Sequence, residues 1–490
     1  MITNQKHIIH KVHLEIYTHR KKTAYKIKDT INVFLQQDVF PYLERYFELM
    51  ENQLPSEIMQ IQKLHLEVTV AGGDDYHVFA KQIGKQVSKE IRQLADTAPA
   101  KKEEVSYISI KESNVKSLLF FLEKGLMPWW NSTNANNIFD KEKLVEIVNT
   151  TGFSFQFRQC VQKAAVQKRL INQFSNKTIQ LLLKHAWLQS DIANIILSDI
   201  IIAKIQFLAT DIRQQVWAAI ISCLITNNVL QLKKELYQIM ESAQQQQLLK
   251  SITTLVFILE EIQIAFSDTE VKVQHPTSNI QHPTLIHKAN KQEREKDLKY
   301  LGKAAEKGIK IPETTKHRKE EKKDEETSYY IENAGLILLH PFLKQFFKNC
   351  QLLGCENTFT DVALAIHLLH YIATKKEEQY ENTMAFEKFL CGVPIQQSIQ
   401  REKPISKELK KQVDKLLGAV LHNWKVLQNS SHDLLRYEFL QRQGKLCLDD
   451  EHPKLIVERK TQDILLDKIP WNIALCKLPW RKKIIFTDWY

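Results

Sequence analysis

His367 and His370 stand three residues apart in the helical pattern DVALAIHLLHYIA, on one face, where two imidazoles can reach a common metal ion. Metal binding needs further donors, and no carboxylate or thiol partner stands out in the sequence, so a polar edge on a buried helix is the preferred reading. His275 and His282 each precede a proline and His287 follows, but their gaps exceed the about three to five residues of zinc-binding pairs and no cysteine accompanies them. They read as histidines of a solvated segment. Cys350 and Cys355 bracket a turn at Gly354. A catalytic thiol needs a histidine oriented beside it and a depressed pKa, and the sequence supplies no sign of either. The phosphate loop GxxxxGK[ST], a GxGxxG after a strand, HExxH and GxSxG are all absent. The sequence therefore assigns no catalytic residue, no cofactor and no metal, and it reads as a structural protein, not an enzyme.

The elements that would position such side chains are mostly helices. Among 490 residues there are only 12 glycines and 13 prolines, so most of the chain must lie in long regular elements. Glu, Lys, Gln, Leu and Ile dominate its middle, which favours helix. Apolar residues make up 43% and charged residues 26%, the balance of a core-forming chain. The net charge of +11 is a modest excess for this length and is not gathered on one motif, which argues against a nucleic-acid partner. The mixed-sign run His317–Glu326 points the same way, and the basic tip 481–483 reads as a solvated turn that could touch an acidic protein. Seven cysteines without a CxxC pair suit a reducing cytosol, with Cys160 and Cys223 packing as small hydrophobes. No signal peptide is evident. The best membrane candidate, the uncharged stretch Gln214–Leu232, holds five Asn and Gln side chains and reads as a buried core helix. These features place the chain in the cytoplasm during assembly, with no membrane insertion.

The expected fold is mainly α, in four parts. A small N-terminal α+β unit (1–100) shows alternating apolar residues at Val12, Leu14 and Ile16, then helical spacing from Ala24 to Leu49 with a bend or restart at Pro41. A second alternating run follows at Leu64, Leu66, Val68 and Val70, and then a helix capped by Asp74 or Asp75. A helical domain (105–266) has short connections and a helix stop at Gly125 and Pro128. A flexible charged linker (267–328) is too poor in apolar residues to offset its ordering entropy. A C-terminal helical domain (329–490) ends in short strands, and Trp471, Trp480 and Trp489 imply an aromatic cap.

Several phrases in the last third resemble the contractile injection system tape measure family. They are IENAGLILLHPFLKQFF (331–347), LLHYIAT (368–374), KFLCGVPI (388–395), AVLHNWKVLQNSSHDLLRYEFLQRQGKL (419–446) and DILLDKIPWNIALCKLPW (463–480). HIIHKVHLEIY and DVFPYLERYFE (38–48) are similar to the family's opening. The resemblance implies a structural protein that helps set or initiate tube and sheath assembly on the baseplate of a phage-tail-like particle. Its partners would be tube, baseplate or terminator proteins, and it could be incorporated in the particle. A cytosolic assembly or effector-loading chaperone or scaffold not retained there is the alternative, and a nucleic-acid-binding protein using the basic balance ranks below it. Candidate docking or domain-defining residues are Asn333, His340, Pro341, Phe342, Gly392, Pro394, Trp424, Trp471, Trp480 and Trp489. Asn333 is expected to cap a helix, Pro341 to sit within the following helical pattern, and Gly392 with Pro394 to form a turn.

Overall fold

The structure, a computed structural model, describes residues 30–31, 33–51, 57–62, 64–65, 76–96, 105–131, 137–272, 328–448 and 451–489, together with His7, Ile9 and Val12. The chain divides into two compact units, Met1–Ala193 and Asn194–Tyr490. Both are mainly helical, with small sheets.

In the first unit, α1 (Phe40–Glu51) follows a π-helical turn, Leu35–Val39. Pro41 has no N–H to return to the preceding turn, and the chain instead closes Phe40 N–H onto the Leu35 carbonyl before the helix restarts. Phe34 and Val39, with Leu43 and Phe47 of α1, pack on Ile83, Val87 and Ile91 of α2 (Tyr76–Asp96), which recur every four residues along one helical face. The helices approach so closely that the Tyr42 ring fills the place of a side chain at Gly84.

The small sheet departs from expectation. Its strands are β1 (Glu57–Ile61) and β2 (Val105–Ser109), antiparallel with Met59 opposite Tyr107. Leu64 and His65 lie outside any strand, and residues 66–75, which carry the rest of the expected second strand and the helix cap, lie outside the described residues. Of the expected first strand only Ile9 and Val12 and the neighbouring His7 are described, none of them in a strand. Five-residue strands such as EIMQI and VSYIS offer too few alternations to outweigh a longer alternating run nearby.

Ser109 begins α3 (Ile110–Lys124) through a capping box with Glu112, and Gly125 ends it in the left-handed region at φ 72°. Three further helices pack on it, α4 (Lys141–Val148), α5 (Phe153–Val161) and α6 (Ala164–Gln173), and α7 (Asn176–Ala186) packs on α4 and α5. Phe121, Phe139 and Phe174 meet edge to face at its centre. The buried Arg169 donates to the Leu122 carbonyl at 2.5 Å. A short helix, α8 (Asp191–Ile196), lies at the division between the units.

The second unit begins with α9 (Asp199–Ile205), α10 (Thr210–Thr226), α11 (Val229–Gln245) and α12 (Leu249–Lys272). The uncharged stretch 214–232 is therefore two helices, not one. Asn227 takes the left-handed conformation at φ 56° and ends α10, and Asn228 caps α11 by accepting from Gln231 N–H at 2.9 Å. Paired asparagines are turn chemistry, and that outweighs the apolar run around them. No helix among the described residues is long and apolar enough to cross a membrane. The helix α12 continues to Lys272, six residues into the stretch expected to be linker, and 273–327 lie outside the described residues.

From Ser328 the chain forms β3 (Ser328–Ile331), a 3-10 turn (Ala334–Leu339), α13 (His340–Asn349), α14 (Val362–Thr374), a 3-10 turn (Glu381–Met384), α15 (Ala385–Leu390), α16 (Lys407–Asn423) and α17 (His432–Leu435). A π-helical turn (Arg436–Leu440) then leads into β4 (Gly444–Cys447), β5 (Lys454–Val457), a 3-10 helix (Thr461–Lys468), β6 (Leu475–Cys476) and β7 (Ile485–Asp488). The strands form one sheet in the order β3-β4-β5-β7-β6, antiparallel except for β5 beside β7. The tail strands lie where expected, and β3 joins them from far earlier in the chain. The inward face carries Ile331, Leu446, Leu455, Val457 and Ile485, all buried.

The junction of β3 with the helices depends on Gly335. Ala334 N–H donates to the Arg442 carbonyl at 2.9 Å, drawing this turn against the π-helical turn. A Cβ on Gly335 would stand 1.7 Å from the Phe439 carbonyl oxygen, a backbone atom that cannot swing aside. Gly335→Ala should therefore destabilise the second unit by about 3 kcal/mol. Gly84→Ala, which meets only a tyrosine ring, should cost less. Denaturant midpoints of the two variants check the ranking.

Candidate functional site

The sequence AFEKFL forms α15, and its two charged residues sit side by side inside an apolar run. Adjacent positions on a helix point about 100° apart, so Glu387 and Lys388 face different neighbours. Both are 0% exposed. A buried charge is tolerated only where partners replace its hydration, and each has them.

Lys388 Nζ donates to Glu381 Oε2 at 2.8 Å and to the Ile395 carbonyl at 3.2 Å. The same Glu381 oxygen accepts the Ile399 N–H at 2.9 Å. The pair thus clamps the chain on both sides of the turn that Gly392 makes at φ 76°. Pro394 continues that turn, its carbonyl accepting Gln397 N–H at 2.9 Å.

Glu387 faces the other way. Its Oε1 accepts from Asn333 Nδ2 at 2.7 Å and from His370 Nδ1 at 2.9 Å, and all three side chains are buried. Asn333 does stand at the start of a helical turn, but its side chain does not cap it. The buried carboxylate takes its amide instead, because an unpaired anion there would cost more than an uncapped N–H that can turn to other partners. Glu387 Oε2 and His370 Nε2 have no protein hydrogen-bond partner among the described residues. His367 lies one turn back on α14 and bonds the Gln400 carbonyl at 2.8 Å, with burial holding its pKa below the ordinary histidine value. The two histidines thus serve different partners. No cluster of three or more His, Cys, Asp or Glu among the described residues is placed to hold a metal.

A second ionic knot closes the sheet. Arg442, also fully buried, donates to Asp463 Oδ1 at 2.6 Å and to the Glu438 carbonyl at 2.6 Å. Asp463 Oδ2 in turn accepts from Trp489 Nε1 at 3.2 Å.

The other tryptophans expected to mark docking also turn their indole N–H inward. Trp424 donates to Leu465 O at 3.2 Å, Trp471 to Leu338 O at 3.0 Å and Trp480 to Leu390 O at 2.7 Å. Phe342 meets Trp471 edge to face at 5.1 Å, and Trp471 lies 6.5 Å from Trp424. Pro341 occupies the first turn of α13, where its missing N–H costs nothing. His340 bonds the Ile337 carbonyl at 3.1 Å, and burial lowers its pKa. The structure brings Phe342, Trp424 and Trp471 together, and Asn333 to Glu387, while Trp489 belongs to the Arg442 knot. Arg481 of the basic tip packs over the Phe389 ring at 3.9 Å, leaving Lys482 and Lys483 exposed.

Sequence reading missed Glu381, Glu387, Lys388, Arg442 and Asp463. The signal that could have found the first three is a lysine and glutamates embedded among Phe, Met and Leu, where solvation is impossible. Burial raises the Cys350 thiol to about 11 and Cys160 to about 12, and it lifts Cys391 well above the ordinary value, which disfavours the thiolate at these three positions.

This geometry joins the ENAG, LLHYIAT and KFLCGVPI phrases through one pair of buried polar links. Lys388, Glu381 and Arg442 bond backbone groups, whereas Glu387 bonds the side chains of Asn333 and His370. The family model described as contractile injection system tape measure protein matches residues 6–489 of the chain. No curated protein and no solved structure matches it.

Replacing Lys388 alone by Met should strand Glu381 and cost about 3–5 kcal/mol of unfolding free energy. Glu381→Met should do likewise. The double replacement should cost clearly less than the two single losses combined, as read from urea midpoints. Additive losses would show that the two side chains act independently.

Proposed function

Since the chain belongs to the contractile injection system tape measure family, we propose that it acts as a structural assembly factor whose folded parts grip other proteins of the particle. In this reading it helps to initiate, and in part to set, tube and sheath assembly on the baseplate. Its partners are tube, baseplate or terminator proteins. The observation that carries the reading is that apolar side chains are buried in a core through most of the described residues of both compact units. Such a chain cannot serve along its whole length as an extended ruler without losing those cores.

The stretch 267–328 is what remains for a measuring role. At ~1.5 Å per residue its helical reach is about 90 Å, short for a ruler and long enough to join two grips. The same compactness favours a second reading, in which the protein acts as an assembly or effector-loading chaperone and is absent from the finished particle. Mass spectrometry of purified particles separates the two, since a retained component appears at fixed stoichiometry.

Removing 20 residues from the centre of 273–327 should shorten assembled particles by about 30 Å if that segment measures as helix. Electron micrographs of the particles read the length. Unchanged lengths would remove the ruler role and leave the assembly role. Normal particle numbers after deletion of the whole chain would remove the assembly role as well.

A further inference from the structure

The C-terminal sheet has one face in the core and a second face that no described element covers. Partners in register point to the same side, so Tyr330, Lys445, Ile456 and Asp488 form one outward row and Lys454, Phe486 and Leu475 another. The outward face of a sheet packed on one side is ordinarily polar. Here Tyr330 is 51% exposed, Ile456 38%, Phe486 42% and Leu475 49%, which is an apolar band across the strands. At its rim lies an open concavity of about 380 Å³, lined by Glu451, His452, Lys454 and Phe486. His452 packs against the Phe486 ring at 5.6 Å, and its Nδ1 is buried with no protein partner among the described residues.

The charges around the band are mainly basic. Lys454 and Arg459 share the single Asp488 carboxylate, each at 3.3 Å, and Lys445 Nζ lies 6.0 Å from the Tyr330 ring centre. Lys477, Lys482 and Lys483 on the β6–β7 connection are exposed. The acidic residues among the described ones on β7 and flanking β5 are Asp488, Glu451 and Glu458.

We propose that this outward face docks an acidic protein segment whose apolar side chain enters the concavity beside Phe486. The proposal rests on the reading of the chain as an assembly protein. A second copy of the chain does not fit the surface. Five strands ~4.8 Å apart and about four residues long present about 300 Å². Two such faces would bury about 600 Å², half of the ~1,200 Å² that a stable pair needs. Basic rims would also face each other. A segment from a larger partner avoids both problems, because its carboxylates meet Lys445 and Lys454 and its flanks can extend past the sheet.

The test uses the full chain and the tube, sheath and baseplate proteins of its own particle, purified and offered one at a time. One of them should bind with a Kd below about 10 µM, and raising the salt should weaken it. Phe486→Asp should weaken that binding at least about tenfold. The charge-removing pair Lys445→Ala with Lys454→Ala should weaken it severalfold and remove most of the salt dependence. Leu230→Asp, on α11 and also exposed, should bind as the parent does. Melting curves establish that each variant folds. If Phe486→Asp does not fold, the lysine pair carries the test alone. Unchanged binding by the folded variants overturns the proposal, as does a lack of binding by every particle protein at about 100 µM. A dimer in sedimentation that Phe486→Asp dissolves overturns it in favour of a second copy. Particles that assemble normally with Phe486→Asp but fail without the chain would sink this surface and spare the assembly role.

Discussion

A lysine ammonium with no water around it must find an anion and carbonyl oxygens, or the fold around it does not form. Lys388 finds Glu381 and Ile395 O, and Glu381 then holds Ile399 N–H. Much of the C-terminal part depends on this constraint. The charge pair is costly to bury and more costly to break, so it contributes specificity of arrangement more than net stability. With Glu387 taking Asn333 and His370 from the opposite side of the same short helix, five chain segments are fixed to one another through a turn and a half of α15.

The same economy explains the tryptophans. Trp424 and Trp489 are buried, Trp471 and Trp480 half-buried, and the indole N–H of each of the four is satisfied by a carbonyl or by Asp463. Aromatic residues used in this way define a rigid body and leave recognition to other surfaces. Burial raises the Cys160, Cys350 and Cys391 thiols, His367 and His370 bond a backbone carbonyl and a carboxylate, and Lys388, Glu381 and Arg442 hold backbone in place. An interior cross-linked in this way suits a protein that must keep its shape while other subunits are added to it.

Much of this was legible in the residues. The helix 407–423 is long and periodic, 362–374 is an almost uninterrupted apolar run, and Gly125 marks the end of α3 by local chemistry. The short tail strands were visible between turns. The missed features share one physical cause, since they depend on contacts between residues distant in sequence. The strand β3 joins β4 across the whole helical part, and β1 finds β2 beyond α2. Asn333 looked like a cap because capping is local, and its actual partner lies 54 residues further on. The Asn227–Asn228 break was legible, but the apolar run around it dominated the reading.

The most direct test of this central constraint is native-state hydrogen exchange at the Ile399 amide, followed against denaturant. If the Glu381–Lys388 clamp welds the segments into one body, that amide exchanges only through unfolding of the whole C-terminal part, with the free energy and denaturant slope of that event. Rapid, denaturant-independent exchange at Ile399, with α16 still protected, would contradict it and show that the buried pair opens by itself.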